Sequence, residues 1–240
     1  MPIRLLDQEK NRGALLHDSE QHAVIAKGFY ATYGKRALDI LAATAGLILL
    51  TPVFMLVACC IKLTSRGSVF YRQVRIGQGG RPFQILKFRS MTMQISNADL
   101  GITVAGDSRV TPLGEFLRRY KVDELPQLWN VIRGDMSLVG PRPEVPVYIK
   151  EYTPEQRVVL SARPGITDPA SLAYRHEEEI LAGRDDPEKF YRTKILPDKL
   201  ARNRAYLQKI TARTDIRIIL KTISSSFLLA NKTGAHARSR

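Results

Sequence analysis

The sequence contains few of the residues that build disulfide frameworks and zinc centres. Its 240 residues include four histidines and two cysteines, the latter adjacent at Cys59 and Cys60. Two neighbouring cysteines exclude the disulfide scaffold of a small secreted protein and a four-cysteine zinc site. Without cysteine pairs at ligand spacing, a zinc enzyme is not indicated.

Acidic residues are outnumbered by basic ones. The chain has 37 Lys and Arg against 23 Asp and Glu, which gives a formal net charge of +14. This excess predicts an anionic partner, and nucleic acid, an anionic membrane surface and a phosphorylated substrate all fit it. Hydrophobic residues make up 44% of the chain, which excludes an intrinsically disordered protein and allows a buried core.

One segment lacks charge altogether. Residues 40–61 are 22 consecutive residues without Asp, Glu, Lys or Arg, close to the roughly 20 that a membrane-spanning helix needs. The run starts 40 residues into the chain and no small-residue cleavage site follows it, which disfavours a signal peptide. We predict that this segment inserts into a membrane; a buried helix of a soluble domain is the alternative.

The flanks of this segment and a proline near its middle predict how it inserts. A simple span carries its Lys and Arg residues mainly on the cytoplasmic side, whereas here both flanks are basic. The basic residues are Lys27, Lys35 and Arg36 before the run and Lys62, Arg66, Arg72 and Arg75 after it. Pro52 removes a helix hydrogen bond, and the hydroxyl of Thr51 can bond a freed carbonyl group. We predict a re-entrant helix hairpin bent at Thr51-Pro52; a straight span with a proline kink is the alternative.

The remaining segments predict a mostly helical α+β domain with a small sheet. Residues 69–75 and 83–89 alternate apolar and polar side chains around a glycine-rich turn, which is typical of a β-hairpin. Thr111 followed by Pro112 predicts a helix start, and Gly134 predicts the end of a second helix.

The following segments predict short helices and loops. Proline and glycine favour loops at 137–146 and 163–175. Helices are expected at 144–151, at 154–161, over 187–211 with a break at Pro197, and over 213–229. The last of these is amphipathic and basic, so it either packs on the domain or lies on a membrane surface. The predicted organisation is an N-terminal tail or interfacial segment (1–34), a re-entrant membrane helix (35–62), a compact cytoplasmic catalytic domain with surface amphipathic helices (63–229) and a basic tail (230–240).

Asp123 and Glu124 form a pair of adjacent carboxylates at the start of a predicted helix. The simplest interpretation is structural, because Asp is a favoured N-cap and Glu is favoured in a first helical turn. Basic residues crowd the same part of the chain, and Arg142 lies between two prolines that fix its backbone. The basic residues are Lys87, Arg89, Arg109, Arg118, Arg119, Arg133 and Arg142. A carboxylate pair in such a field also suits Mg²⁺ and phosphoryl chemistry, so both interpretations stay open.

Several motifs in fixed order resemble the bacterial sugar transferases, the small monotopic phosphoglycosyl transferases. The motifs are Lys35-Arg36…Asp39, the apolar run with Pro52, LKFRSM (86–91), DSRVTPLGEFLRR (107–119), DELPQLWNV (123–131) and GDMSLVGPRPE (134–144). The resemblance covers about residues 35–167, more than half of the chain. Each motif alone is weak, whereas their ordered combination is specific.

The resemblance implies a reaction and roles for individual residues. Members of the family transfer a sugar-1-phosphate from a UDP-sugar to polyprenyl phosphate, usually undecaprenyl phosphate, and release UMP to start glycan assembly, for example of exopolysaccharide. It implies Asp123 as the nucleophile that forms an aspartyl-phosphosugar intermediate, and Glu124 with Asp123 as the Mg²⁺ site. It also implies substrate binding by basic residues and a membrane bend at Thr51-Pro52. The substrate-binding residues are Lys87, Arg89, Arg118 and Arg142.

The same resemblance implies a location and leaves other questions open. The expected location is the bacterial inner membrane, in contact with its lipids, with the catalytic domain on the cytoplasmic face and no nucleic acid as partner. Asp168-Pro169-Ala170-Ser171 departs from the family pattern, so the identity of the sugar stays open, as does homo-oligomerisation. The rival functions are a membrane-tethered basic binding or scaffold protein and a two-carboxylate glycosidase, which adjacent carboxylates fit poorly.

Overall fold

The fold is known from a computed structural model that describes residues 28–92 and 104–237, with side chains described as far as residue 226. These residues form mainly helices, together with two small two-stranded sheets. The predicted α+β, mostly helical class is therefore confirmed. Of the predicted N-terminal segment, 1–27 lie outside the described residues.

The uncharged segment forms one long helix. A π-helical turn, Tyr30–Gly34, leads directly into α1, Lys35–Thr64, which is about 45 Å long at 1.5 Å per residue. Length and composition allow it to cross a membrane, and only 11% of its most apolar window is buried. Such exposure does not fit the core helix of a soluble domain.

α1 continues through Pro52 without interruption. The Thr51 hydroxyl donates to the carbonyl oxygen of Leu47 at 2.8 Å, next to the Ile48 carbonyl that Pro52 deprives of its usual N–H donor. α1 is therefore continuous through Thr51-Pro52, and the re-entrant hairpin stays a prediction.

One face of α1 packs against the rest of the fold along its length. Apolar residues at helical spacing join the core clusters that contain Leu128 and Phe88. They are Ala43, Leu47, Leu50, Phe54, Val57 and Ile61. Near the first end, the Arg36 guanidinium donates to the Val131 carbonyl oxygen at 2.8 Å. Both ends of α1 therefore contact the same folded body.

The opposite face of α1 exposes large apolar side chains. Each of them is 65–81% exposed. They are Leu41, Ile48, Leu49, Met55, Leu56 and Leu63. This arrangement leaves a continuous apolar surface on the outside of the molecule.

The predicted β-hairpin follows α1. Strands β1, Phe70–Ile76, and β2, Pro82–Phe88, pair antiparallel, with Phe70 opposite Phe88. A 3₁₀ turn, Gln78–Gly80, connects them, and its two glycines have positive φ. The glycine-rich link is a turn, as the sequence predicts.

The first of the two central helices begins, and the second ends, where the sequence predicts, but the second begins at Gln127 and not at Asp123. In α2, Pro112–Arg119, the Thr111 hydroxyl accepts a hydrogen bond from the Gly114 backbone N–H at 2.9 Å. A 3₁₀ turn, Val122–Glu124, then leads into α3, Gln127–Arg133, which ends at Gly134 with φ of 94°.

The loops predicted at 137–146 and 163–175 contain regular structure. Strand β3, Ser137–Val139, comes first, followed by helices α4, Pro146–Ile149, and α5, Pro154–Arg157, and by a 3₁₀ turn, Val158–Ser161. Strand β4, Gly165–Thr167, pairs in parallel with β3, and helix α6, Pro169–Ala173, follows it. The loop prediction is confirmed for residues 140–145 and wrong for β3, β4 and α6, because three-residue strands paired at long range and a five-residue helix leave little local periodicity.

The C-terminal part is helical almost throughout. It contains α7, Glu177–Ala182, α8, Pro187–Phe190, a π-helical turn, Tyr191–Ile195, then α9, Leu196–Leu207, and α10, Ala212–Ala237. The helical path runs from Pro187 to Leu207 without a gap, and it changes from π-helix to α-helix next to Pro197, so the break predicted at Pro197 is wrong. Helix α10 extends to Ala237, into the segment predicted as a tail.

Helix α10 has two different faces. Its inner face contributes Ile218 to a core cluster, and Asp215 accepts hydrogen bonds from Tyr30 at 2.8 Å and Lys35 at 2.5 Å. Its outer face exposes a basic and apolar stripe. The stripe consists of Arg213, Ile216, Arg217, Leu220, Lys221 and Ile223. The helix therefore packs on the domain and also presents an amphipathic surface.

Candidate active site

The carboxylate pair, Asp123 and Glu124, lies in the 3₁₀ turn between α2 and α3. Both residues are 6% exposed. The turn begins after Lys121, whose φ of 59° makes it the only non-glycine residue with positive φ in the described part of the chain. This conformation is sparsely populated for residues other than glycine. It precedes the turn in which the side chains of Asp123 and Glu124 are both buried.

Asp123 does not cap a helix. No side-chain capping bond is made at the start of the turn or of α3, and the buried Oδ1 atom of Asp123 has no hydrogen-bond partner among the described residues. Burial raises the pKa of Asp123, and the neighbouring charge of Glu124 raises it further, whereas Lys87, Lys121 and Arg118 oppose the shift. The capping interpretation is wrong for Asp123.

Glu124 is held by two cations. Its Oε1 accepts from Lys87 Nζ at 2.8 Å and from Arg142 Nη2 at 2.6 Å, while Oε2 has only a 3.4 Å contact to Arg142 Nη1. Burial alone would raise the pKa of Glu124, but the charges of Arg142, Lys87 and Lys121 and the bond from Arg142 lower it well below its usual range. Burial lowers the pKa of Lys87, and Glu124 opposes this. We call Lys87, Glu124 and Arg142 the Glu124 cluster.

Asn130 fixes Lys87 relative to the carboxylate pair. Its side chain accepts from the Leu86 backbone N–H at 3.0 Å and donates to the Gln84 carbonyl oxygen at 2.8 Å. These bonds join α3 to β2, so the strand presents Lys87 to the turn that carries Glu124.

The Pro141-Arg142-Pro143 loop is tied down on both sides. The backbone N–H of Gly165 donates to the Pro141 carbonyl oxygen at 3.0 Å, and Arg75 Nη1 donates to the Pro143 carbonyl oxygen at 3.2 Å. A Cβ on Gly165 would lie 2.1 Å from the backbone nitrogen of Gly140, so only glycine allows this approach. The parallel strand pair therefore sets the position of Arg142.

Arg75 and Glu144 support this loop from behind. Their side chains are 3.8 Å apart and mostly buried, and Glu144 accepts from the Tyr191 hydroxyl at 2.8 Å. Sequence reasoning missed Arg75 as a support, because the alternation in β1 favours burial of Phe70 and Val74, whereas in the structure these two are exposed and the Arg75 side chain is mostly buried.

The structure brings three of the four predicted substrate-binding residues near the carboxylate pair. Lys87 and Arg142 contact Glu124. Arg118 forms an ion pair with Glu178, and its charge still acts on Asp123.

Arg89 is placed differently from the other predicted basic residues. Its guanidinium donates to the carbonyl oxygens of Arg66 and Ser65, both at 2.9 Å. These carbonyl groups follow the last turn of α1. Arg89 therefore fixes the exit of α1, and its role in substrate binding stays a prediction.

Asp168, in the segment that departs from the family pattern, is a helix cap. Its Oδ1 accepts from the Ala170 backbone N–H at 2.8 Å and from that of Ser171 at 3.1 Å, and the residue is fully buried. Its charge is also one of those that raise the pKa of Arg142. The departure therefore preserves a structured start for α6 close to the Glu124 cluster.

The carboxylate pair fits a hard divalent cation that also binds substrate. Within residues 28–92 and 104–237 no three His, Cys, Asp or Glu side chains converge as a metal cage. Mg²⁺ typically takes one or two carboxylates and completes its shell with water and substrate phosphates. The unpartnered Asp123 Oδ1 and the weakly engaged Glu124 Oε2 are suitable oxygen ligands.

The folded body thus combines a buried carboxylate pair, two cations bonded to it and a helix apolar enough to cross a membrane. The model of one family, described as "Bacterial sugar transferase", matches residues 30–228. The chain belongs to this family, which confirms the resemblance inferred from its motifs.

Curated relatives carry names that agree with this family. The UDP-glucose:undecaprenyl-phosphate glucose-1-phosphate transferase of Caulobacter vibrioides is 39% identical over 194 residues, which cover 80% of this chain and 68% of the relative. The exopolysaccharide production protein ExoY of Rhizobium meliloti is 35% identical over 204 residues, covering 79% and 83%.

Some relatives are much longer than this chain. The UDP-N-acetylgalactosamine-undecaprenyl-phosphate N-acetylgalactosaminephosphotransferase of Aeromonas hydrophila is 35% identical over 211 residues, covering 87% of this chain and 47% of the relative. The chain thus spans about half of that protein. The sugars in these names also differ, so they do not select one donor for this chain.

Proposed function

We propose that this protein transfers a sugar-1-phosphate from a UDP-sugar to polyprenyl phosphate, with undecaprenyl phosphate as the expected carrier, and releases UMP. The observation that carries the proposal is the buried Asp123 oxygen without a partner, next to a glutamate that two cations neutralise, in a chain of the sugar transferase family. The product starts the assembly of a glycan such as an exopolysaccharide. The names of these relatives support this reaction class.

In this proposal the carboxylate of Asp123 attacks the phosphorus that bears the sugar. The bond from that phosphorus to the UMP oxygen breaks, UMP leaves, and an aspartyl-phosphosugar forms. The phosphate oxygen of the polyprenyl carrier then attacks the same phosphorus, and the Asp123 carboxylate is released unchanged. A covalent carboxylate nucleophile divides one displacement into two easier steps. A poorly solvated carboxylate with a raised pKa suits this role.

Lys87 and Arg142 would bind the substrate phosphates. Both donate to Glu124, and phosphate oxygens are natural replacements for that carboxylate because guanidinium and ammonium groups bind either anion. Asp123 and Glu124 would hold Mg²⁺, which supplies charge neutralisation to the diphosphate when it is bound. Arg118, released from Glu178 or still paired with it, adds positive potential beside Asp123.

The exposed face of α1 would insert into the inner membrane from the cytoplasmic side. Both ends of α1 contact the same folded body, which supports entry into and exit from one face without crossing to the other. The basic flanks support the cytoplasmic face. The basic and apolar stripe of α10 suits contact with the same surface, because Asp215 links the start of α10 to the start of α1.

UMP release by the detergent-solubilised protein tests the proposed reaction. The assay contains Mg²⁺, undecaprenyl phosphate and a panel of UDP-sugars, with chelator in a parallel series. We expect release with at least one donor, loss of release with chelator, and loss in Asp123→Asn but not in the exposed control Asp185→Asn. DNA binding at physiological salt without UMP release would favour the scaffold function, and sugar release without UMP would favour a glycosidase.

A further inference from the structure

Gln127, three residues after Glu124, carries a second buried polar atom without a partner. The residue is 1% exposed, and its Nε2 atom is buried without a hydrogen-bond partner among the described residues. A buried amide donor without a partner is unfavourable by the full cost of its lost hydration. Such a group in a folded protein calls for a partner that arrives with a ligand.

Helical geometry places Gln127 on the same side as Asp123. Leu125 and Pro126, which connect the 3₁₀ turn to α3, both have right-handed helical φ and ψ. Residues four apart on such a path lie one above the other, with Cβ atoms roughly 5–6 Å apart. Gln127 therefore lies about one helical turn after Asp123, and both side chains are buried.

The two unpartnered atoms are chemically complementary but do not bond to each other. Asp123 Oδ1 is an acceptor and Gln127 Nε2 is a donor, and neither has a partner. A ligand that suits both atoms offers a cation or an electrophilic centre to the carboxylate oxygen and an acceptor to the amide. A phosphoryl group meets both requirements, because its phosphorus receives the nucleophile while its non-bridging oxygens accept hydrogen bonds.

We propose that Gln127 Nε2 donates a hydrogen bond to a non-bridging oxygen of the phosphoryl group that Asp123 attacks. This inference rests on the proposed function and adds a catalytic residue to it. Negative charge on these oxygens must be stabilised as the phosphoryl group is transferred, and a fixed donor in a site without water does this effectively. The same contact serves both displacements, since the same phosphorus reacts in each.

The first test replaces the amide with an apolar side chain of similar length. Gln127→Met is compared with the parent and with Gln208→Met, which changes an exposed glutamine at the end of α9. We expect Gln127→Met to lower kcat for UMP release by about 10²- to 10³-fold, as for the loss of one transition-state donor, with little change in the KM for the UDP-sugar. The thermal unfolding midpoint should stay equal to that of the parent or rise, since no bond is lost and an unpaired buried donor disappears.

The second test uses the pH dependence of Gln127→Glu. A protonated carboxyl group can donate in place of the amide, whereas a carboxylate cannot. The activity of this variant relative to the parent, measured at each pH, should therefore be lowest at neutral pH and recover on acidification. The thermal midpoint is measured at each pH as well, because a purely structural glutamine would produce this recovery only together with a recovery of the midpoint.

The outcomes separate the inference from the function on which it rests. Suppose the parent is active. If Gln127→Met then leaves kcat unchanged, or lowers kcat and the thermal midpoint together, the role of Gln127 is contradicted and the proposed reaction is not. A parent that releases no UMP with any donor contradicts the proposed reaction and the inference with it. A lowered kcat with an unchanged midpoint supports both.

Discussion

Replacing Arg142 should show how much the Glu124 cluster contributes to the free energy of unfolding. Truncating one partner of a buried ion pair typically costs about 3–5 kcal/mol, because the other charge is left buried. Lys87 still lies 2.8 Å from Glu124, and the Arg142 side chain is itself 28% exposed. We therefore expect Arg142→Met to lower the free energy of unfolding at pH 7 by a smaller amount, about 1–3 kcal/mol.

The pH dependence of this difference follows from the pKa of Glu124. Its folded-state pKa is lowered, so the cluster stabilises the fold fully above the unfolded-state value of about 4.3 and loses this contribution as the pH falls through the folded-state value. Without Arg142, the pKa of Glu124 moves back toward its ordinary range. The difference between parent and variant should therefore be complete at pH 7 and shrink on acidification.

Chemical unfolding in detergent, measured at pH 7 and in steps toward pH 3, provides the assay. Arg133→Met is the control, because Arg133 is 63% exposed on the side chain and lies 3.6 Å from Asp135, and exposed pairs contribute about 0–1 kcal/mol. Equal stability of Arg142→Met and parent at pH 7, or a difference that grows toward acid, would refute the electrostatic account of the cluster.

Two further predictions test the scaffold and the membrane contact. Gly165→Ala should abolish UMP release and lower the thermal midpoint, since its Cβ would lie 2.1 Å from the Gly140 nitrogen; an active, equally stable variant would contradict the role of this close approach. Leu49→Asp should weaken membrane retention with no change in thermal midpoint, because a buried charge costs about 2.5–3.5 kcal/mol in a bilayer. Membrane fractionation measures the retention of Leu49→Asp, with Gln208→Asp as the control. Unchanged retention of Leu49→Asp would contradict insertion of the exposed α1 face.

Local signals predicted those parts of the fold that local interactions determine. The β1–β2 hairpin followed from alternation and a glycine-rich turn, and the start of α2 followed from Thr111 and Pro112. Gly134 marked the end of α3 because a left-handed residue is needed there. Each of these depends on residues a few positions apart in the chain.

The parts that sequence reasoning missed depend on contacts between distant segments. Strands β3 and β4 exist because Gly140 and Gly165 let two backbones meet, and nothing within either segment indicates this. Arg89 was grouped with the phosphate-binding residues because it belongs to a basic motif, yet it bonds the end of α1. Gln127 was missed for a different reason. The sequence gives its spacing from Asp123, but only the structure shows that its buried amide nitrogen has no hydrogen-bond partner among the described residues.

The most direct test of the central claim is a search for the covalent intermediate. The protein is incubated with Mg²⁺ and its active UDP-sugar without the polyprenyl acceptor, and then analysed by mass spectrometry intact and after digestion. The account predicts a mass increase of one phosphosugar on the peptide that contains Asp123, and no increase in Asp123→Asn. A phosphosugar on another residue, or an Asp123→Asn variant that turns over like the parent, would contradict the assignment of Asp123 as the nucleophile.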